Sequence, residues 1–203
     1  MKRIYASQRV ETVPDYNERR DELDQNWASF LEKTNSLLFP LPNHPQTVQK
    51  ILIAAPPDGI LLTGGNTPVE YGGDSPQRDE TDELLIKYAA AHKLPLIGVC
   101  RGLQSIVLHF GGSLKKVSGH VRENHEVKGN VNRVVNSFHN FAAATVPPCL
   151  EITARSEDGV IEAVRHLSLP IVAIMWHPER EREFNIEDID LFNSVFTGRS
   201  DVL

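Results

Sequence analysis

A four-residue apolar segment that passes into a helical pattern without a linker leaves a chain few architectures. Here Leu96-Ile97-Gly98-Val99 reads as a strand and Cys100 follows at once. Leu103, Ile106, Val107 and Phe110 then recur on one face at helical spacing. Gly98 and Gly102 stand two residues from the cysteine on either side. This is a nucleophile elbow with sulfur in place of the serine oxygen. The glycines are expected to let the chain turn sharply and to keep side chains off the approach to the sulfur. A helix N-terminus carries partial positive charge, which lowers the thiol pKa and favours the thiolate. The elbow alone lacks a base.

The same alternation of strand and helix runs along the chain. It predicts an α/β fold in a single domain, 1–203, with a mostly parallel central sheet and helices on both faces. Strands are expected near 3–8, 37–39 and 60–62, and helices over 17–34, 47–54, 79–92 and 187–196, with several short strands in the second half. In the helix over 17–34, Leu23, Trp27, Phe30 and Leu31 share one face. Pro57-Asp58-Gly59 turns the chain into Ile60-Leu61-Leu62, and Gly111-Gly112 ends the helix after the elbow.

Of the eight histidines, one stands apart. His44, His92 and His166 sit in polar loop or helix-end contexts and read as solvent-facing, while His109 reads as a packing residue on the elbow helix. His177 ends the apolar run Ile171 to Trp176, and Pro178 stops that strand. In a parallel sheet the carboxyl ends of the strands share one edge, where ligands bind, so Cys100 and His177 should meet there. Glu179, two residues on, is within reach of the other ring nitrogen and would fix its tautomer. An exposed His-Pro-Glu turn is the ordinary reading of these residues taken alone. With the elbow, they make a Cys100-His177-Glu179 triad.

Gly98-Val99-Cys100-Arg101-Gly102-Leu103-Gln104, Trp176-His177-Pro178-Glu179 and the glycine run Thr63-Gly64-Gly65-Asn66 resemble the class I glutamine amidotransferase-like superfamily, which has a flavodoxin-like fold. The likeness covers nearly the whole chain. Arg101 and the run Val135-Asn136-Ser137-Phe138-His139 resemble the γ-glutamyl hydrolase branch rather than the ammonia-delivering subunits of synthetases. The resemblance implies that Cys100 attacks a γ-glutamyl carbonyl and that Gly65 and Arg101 supply backbone donors for the oxyanion. It implies that Gly64, Gln104, Asn136, Ser137 and His139 surround the glutamyl end, with no cofactor. Strand-end and loop-holding roles remain open for Asn136, Ser137 and His139.

His120, His125 and His139 suggest a metal site only weakly, because their separations in sequence lack a tight ligand pattern, and no metal is expected. Arg9 is expected near the ligand edge. The stretch from Gln8 to Trp27 resembles small hydrolases of bacterial surface-polysaccharide pathways, among them γ-glutamyl-CDP-amidate hydrolases of capsular phosphoramidate synthesis. Their substrate carries a diphosphate, for which arginine forks are suited, and Arg9 and Arg78 are the candidate contacts. Arg19 and Arg20 read more simply as internal ion pairs at a helix start.

Composition sets outer limits. An apolar share of 40% and a charged share of 24% are ordinary for a soluble globular chain. A net charge of −6 argues against a general nucleic-acid surface. There is no apolar run of bilayer length, and Met1-Lys2-Arg3-Ile4-Tyr5 has no signal-peptide character. Two cysteines, with Cys149 read as a bystander thiol, give no disulfide framework and suit a reducing cytoplasm. The expected partner is a small γ-glutamyl substrate. A homodimer stays open, and no obligatory synthetase partner is expected. The competing readings are a γ-glutamyl-γ-aminobutyrate hydrolase, a glutaminase component of a synthetase and a non-catalytic binding protein.

Overall fold

The computed structural model describes residues 1–199, so the last four positions of the expected 1–203 domain lie outside the described residues. The chain opens with β1 (Lys2–Ala6), β2 (Arg9–Val13), β3 (Glu18–Glu22), α1 (Asn26–Lys33), β4 (Ser36–Pro40), α2 (Pro45–Ala54) and β5 (Gly59–Leu62). The middle is α3 (Pro76–His92), β6 (Leu96–Val99), α4 (Arg101–His109), β7 (Ser113–Lys116), β8 (Val121–Gly129) and β9 (Arg133–Phe138). It closes with β10 (Phe141–Thr145), β11 (Leu150–Ser156), β12 (Ile161–His166), β13 (Ile171–Ile174) and α5 (Ile186–Phe196).

Nine strands form one sheet in the order β4-β1-β5-β6-β13-β12-β11-β8-β9. The first five run parallel, with Ile97 between Leu61 and Val172 at the centre. The remaining four continue it as an antiparallel wing. The parallel strands are apolar on both faces because both faces are covered. Ile4, Leu61, Ile97, Val99, Val172 and Ile174 pack with α1 and α5. Their neighbours Tyr5, Ile60, Leu62, Leu96, Ile171 and Ala173 pack against α2, α3 and α4. The period of two along a strand splits each run between two cores.

Two expectations fail. Residues 17–22 do not begin a helix. They form β3, which returns antiparallel against β2 and pairs Arg9 with Glu22 and Glu11 with Arg20. Pro14 and Asn17 make the turn, Asn17 taking a left-handed φ of 48°. The helical face of Trp27, Phe30 and Leu31 is real, but α1 starts only at Asn26. His166 is not at the surface. It is buried, packs on Phe110 at 4.9 Å between ring centroids, and accepts from the Ser168 and Leu169 amides at 3.1 Å. His44 and His92 are exposed as expected, His44 capping α2 through Thr47. Among the described residues no helix is long and apolar enough to cross a membrane.

Candidate active site

The carboxyl ends of the central strands β5, β6 and β13 bring together the loop Thr63–Asn66, Cys100 and His177. Cys100 caps α4 with φ 53° and ψ −100°, a conformation that a residue with a Cβ rarely adopts. It is pinned from both sides. Its amide donates to Ile174 of β13 at 2.8 Å, and its carbonyl accepts from Gln104 at 3.2 Å. The turn is therefore carried by the cysteine and not, as expected, by the glycines. Gly98 and Gly102 serve close packing instead. A Cβ on Gly98 would lie 2.6 Å from Ile106 of α4, and one on Gly102 would lie 2.3 Å from the Leu62 carbonyl of β5. Both glycines let α4 press onto the sheet and so fix where the sulfur stands.

His177 is buried and is held at its backbone by Asn136. The Asn136 amide donates to the His177 carbonyl and its oxygen accepts from the His177 N–H, both at 2.8 Å. Asn136 also donates to Glu181 at 2.6 Å, so its amide is taken up by the backbone of His177 and by Glu181. At the ring, Nδ1 is 2.7 Å from a Glu179 carboxylate oxygen. Burial alone pushes the His177 pKa down, but the Glu179 carboxylate and the Cys100 sulfur outweigh it and raise it to about 9. The Phe138 ring stands edge-on to the imidazole at 5.6 Å, and the Arg180 guanidinium lies 4.5 Å over that ring. Together they limit how the imidazole can swing.

The loop after β5 is shaped by the same histidine. A Cβ on Gly64 would lie 2.5 Å from His177 Cε1, and Gly65 has a φ of 92° that favours glycine. Asn66 bonds both the N–H and the carbonyl of Val10 at 2.7 and 2.8 Å, which ties the loop to the β2–β3 hairpin. Arg78 was expected to reach a distal leaving group, and it does not. Its side chain is fully buried beneath the loop and donates to the Thr63 and Gly64 carbonyls at 2.6 and 3.1 Å. Burial brings its pKa down to about 10, which leaves it charged at neutral pH.

A cavity of about 180 Å³ opens at Cys100. Gly65, Arg101, Gln104, His139 and Phe141 contribute to its wall. Gln104 donates to the Phe141 carbonyl at 2.9 Å, which fixes that wall. The Arg101 side chain runs away from the sulfur into ion pairs with Asp79 at 2.6 Å and Asp82 at 3.4 Å. Only its backbone N–H remains at the elbow, where the first turn of a helix has free donors. The Ser137 hydroxyl donates to the His120 carbonyl and does not face the cavity. Arg9 packs against Gly65 and pairs with Glu11 at 3.5 Å and Glu22 at 3.4 Å. Arg9 and Arg180 line one narrow groove beside Glu179. Of the ion pairs expected at Arg19 and Arg20, Arg20 makes one with Glu18 at 2.8 Å, whereas Arg19 donates to the Asp74 carbonyl and the Ser75 hydroxyl across the chain.

Asn66, Phe138, Arg180, Glu181 and Glu162 also shape the site, though none is among the residues expected from the sequence. The first four lie inside or beside runs already singled out, and an acidic residue within the apolar stretch Ile161–Val164 was a signal for a buried carboxylate. The histidines that seemed scattered, His120, His125 and His139, meet around that Glu162.

The family model for glutamine amidotransferase class-I matches residues 22–189. A gamma-glutamyl-CDP-amidate hydrolase of Campylobacter jejuni subsp. jejuni is 33% identical over 189 residues, covering 90% of this chain and 92% of that protein. A gamma-glutamyl-gamma-aminobutyrate hydrolase of Escherichia coli is 32% identical over 219 aligned positions, covering 87% of this chain and 84% of that one. In fold, the crystal structure of a glutamine amidotransferase from Thermotoga maritima matches with a TM-score of 0.66 at 18% identity, over 95% of this chain and 82% of that chain.

Proposed function

The chain belongs to the class-I glutamine amidotransferase family, and we propose that it is a free-standing γ-glutamyl hydrolase with Cys100, His177 and Glu179 as its triad. The observation that carries this reading is the strained Cys100 elbow beside the buried His177–Glu179 pair, opening on a cavity of about 180 Å³. The Cys100 thiolate adds to the γ-carbonyl carbon, and the oxyanion accepts from the backbone N–H groups of Gly65 and Arg101. The tetrahedral adduct collapses as His177, charged at the start, gives its proton to the leaving nitrogen. This leaves a γ-glutamyl thioester and a neutral imidazole. His177 then takes a proton from water, the hydroxyl oxygen attacks the thioester carbonyl, and the carbon–sulfur bond breaks to release glutamate and the thiolate. Glu179 holds the tautomer and stabilises the imidazolium.

For the group on the nitrogen, the best-supported candidate is cytidine diphosphoramidate, released from γ-glutamyl-CDP-amidate in surface-polysaccharide synthesis. The similarity to the Campylobacter enzyme over 90% of this chain supports it, as does the pair of arginines, Arg9 and Arg180, in the groove beside Glu179. The likeness to the Escherichia coli enzyme makes γ-glutamyl-γ-aminobutyrate the second candidate. The whole chain, 1–203, is read as one catalytic domain acting in the cytoplasm without a synthetase partner.

The test is glutamate release from γ-glutamyl-CDP-amidate, γ-glutamyl-γ-aminobutyrate and glutamine, by wild type and by Cys100→Ala. The proposal expects full turnover of the first substrate by the isolated chain and none by the variant. Equal rates for wild type and variant would refute the triad. Activity on glutamine only, stimulated by an added synthetase, would replace the hydrolase reading by the glutaminase one.

A further inference from the structure

Behind the cavity wall, three imidazoles converge on one buried carboxylate oxygen. His120 Nδ1, His125 Nε2 and His139 Nε2 lie 3.5, 3.4 and 3.4 Å from Glu162 Oε1. None of these four atoms has a hydrogen-bond partner of good geometry, and neither has the second Glu162 oxygen, although each is shielded from solvent. Buried polar atoms normally find partners, and a charged carboxylate most of all. With its Nε2–H given to Asp158, a neutral His120 turns the Nδ1 lone pair toward the Glu162 oxygen, and a lone pair facing a carboxylate is repulsive. A cation at the centre satisfies several at once.

The distances fit that alternative. Ligand bonds of about 2.0–2.1 Å arranged tetrahedrally put neighbouring ligand atoms about 3.3 Å apart. The two contacts made to Glu162 Oε1 by His120 Nδ1 and His125 Nε2, at 3.5 and 3.4 Å, are nearly such edges. One ligand atom from each of His120, His125 and Glu162 lies within 4.8 Å of the others, and His125, with 15% of its side chain exposed, is the least buried of the three. The outer support is of the kind that metal-bound histidines have. His120 Nε2 is 3.0 Å from Asp158, whose other oxygen accepts from the Ser156 hydroxyl.

We propose that His120 Nδ1, His125 Nε2 and Glu162 Oε1 bind a divalent transition-metal ion of the zinc class. Asp158 orients His120, and His139 packs on the His120 ring with its Nε2 3.4 Å from the same Glu162 oxygen. Two imidazoles and a carboxylate leave at least one coordination position for water. The ion would join the start of β8 to β12. Through His120, whose carbonyl accepts from Ser137 and from the His139 amide, it would also brace the wall of the cavity at Cys100. The inference rests on this cluster and stands whether or not the hydrolase reading does.

Chelator-treated full-length protein is titrated with Co²⁺ and with Zn²⁺. One equivalent of Co²⁺ should bind, with a d–d spectrum and no thiolate charge-transfer band. The Tm should rise by about 5–10 °C at a hundredfold excess of Zn²⁺ over its Kd. Asp158→Asn should weaken binding about 10–100-fold, and His125→Ala and Glu162→Gln by more. Cys100→Ala should bind as wild type does. His125 is partly exposed, so its variant decides the question should Glu162→Gln fail to fold. The absence of stoichiometric binding would overturn the proposal. So would binding unchanged in a folded His125→Ala, or a charge-transfer band that disappears with Cys100.

Discussion

Two buried groups of imidazole and carboxylate stand on the two halves of this sheet, and they are built differently. At the end of the parallel half, His177 and Glu179 are two residues apart, joined by a 2.7 Å hydrogen bond, with the backbone of His177 clamped by Asn136. In the antiparallel wing, His120, His125, His139 and Glu162 come from β8, β9 and β12 or the residues beside them, and the rings approach the carboxylate no closer than 3.4 Å. The shorter distance is that of a shared proton. The longer one is that of atoms waiting to share a cation. Residue types alone do not separate the two roles. Spacing does, and a donor and acceptor already in contact have no room for an ion between them.

The largest test of this difference is at the local pair. His177→Ala should lower glutamate release by about 10⁴-fold or more, because nothing else is placed to move the proton. A fall of less than tenfold would mean that the pair is not a proton shuttle. Glu179→Gln should cost less, roughly 10²–10⁴-fold, since the imidazole stays but its charged form loses its partner. This variant also carries a pH signature. The His177 pKa is raised to about 9, so imidazolium, and with it acylation, should persist through neutral pH and fall as pH rises through about 9. The stability linked to this proton has the same sign. It is complete below the ordinary value of 6.5 and is lost as pH rises through about 9. Glu179→Gln should move the alkaline limb of a single-turnover pH–rate profile downward. A limb that does not move would separate Glu179 from the titration of His177.

How each group looked in the sequence follows from how it is assembled. Cys100 with its strand, and His177 with Glu179, are short-range patterns, and the sheet edge that unites them is a consequence of parallel topology. Even there the reason for the glycines was misjudged. Their requirement comes from the Leu62 carbonyl and the Ile106 side chain, both supplied by elements that sequence reading treats separately. The three histidines could be named together as a weak metal pattern, with no metal expected, but their shared partner Glu162 was not legible, because antiparallel registers bring it to them from a distant part of the chain and no spacing rule encodes a register. The hairpin of β2 and β3 was hidden for a third reason. The run Glu18–Glu22 has no apolar residue to mark a period, and its cross-strand ion pair with Arg9, made by Glu22, becomes visible only once the turn at Asn17 is known.

Asn136 is where the two halves meet, since it belongs to β9 of the wing and grips His177 beyond β13. Asn136→Ala should reduce kcat by about 10–100-fold, the scale of a displacement of about 1 Å, with little change in KM. Asn136→Asp keeps the acceptor for the His177 N–H but sets a carboxylate oxygen against Glu181 and the His177 carbonyl, so it should recover none of that loss. If KM rose instead and kcat held, Asn136 would be a substrate contact after all, and the clamp only a packing detail.

The smallest effect is expected at Arg9. Its guanidinium is partly exposed and already shared between Glu11 and Glu22, so a diphosphate would have to compete with two carboxylates for it. Charge-assisted bonds are worth about 1.5–3 kcal/mol when fully made, but exposed ion pairs yield only about 0–1 kcal/mol. For Arg9 the lower figure governs, and Arg9→Ala should raise KM for γ-glutamyl-CDP-amidate by about three- to fivefold while leaving that for glutamine in place. Equal changes for both substrates would make Arg9 a brace for Gly65, against which its side chain packs, and would leave Arg180 as the arginine of that groove facing the leaving group. Arg180 is the better placed of the two for such a role, because its partners are the ring of Phe138 and the carboxylate of Glu179, so any anion it binds acts directly on the orientation of His177.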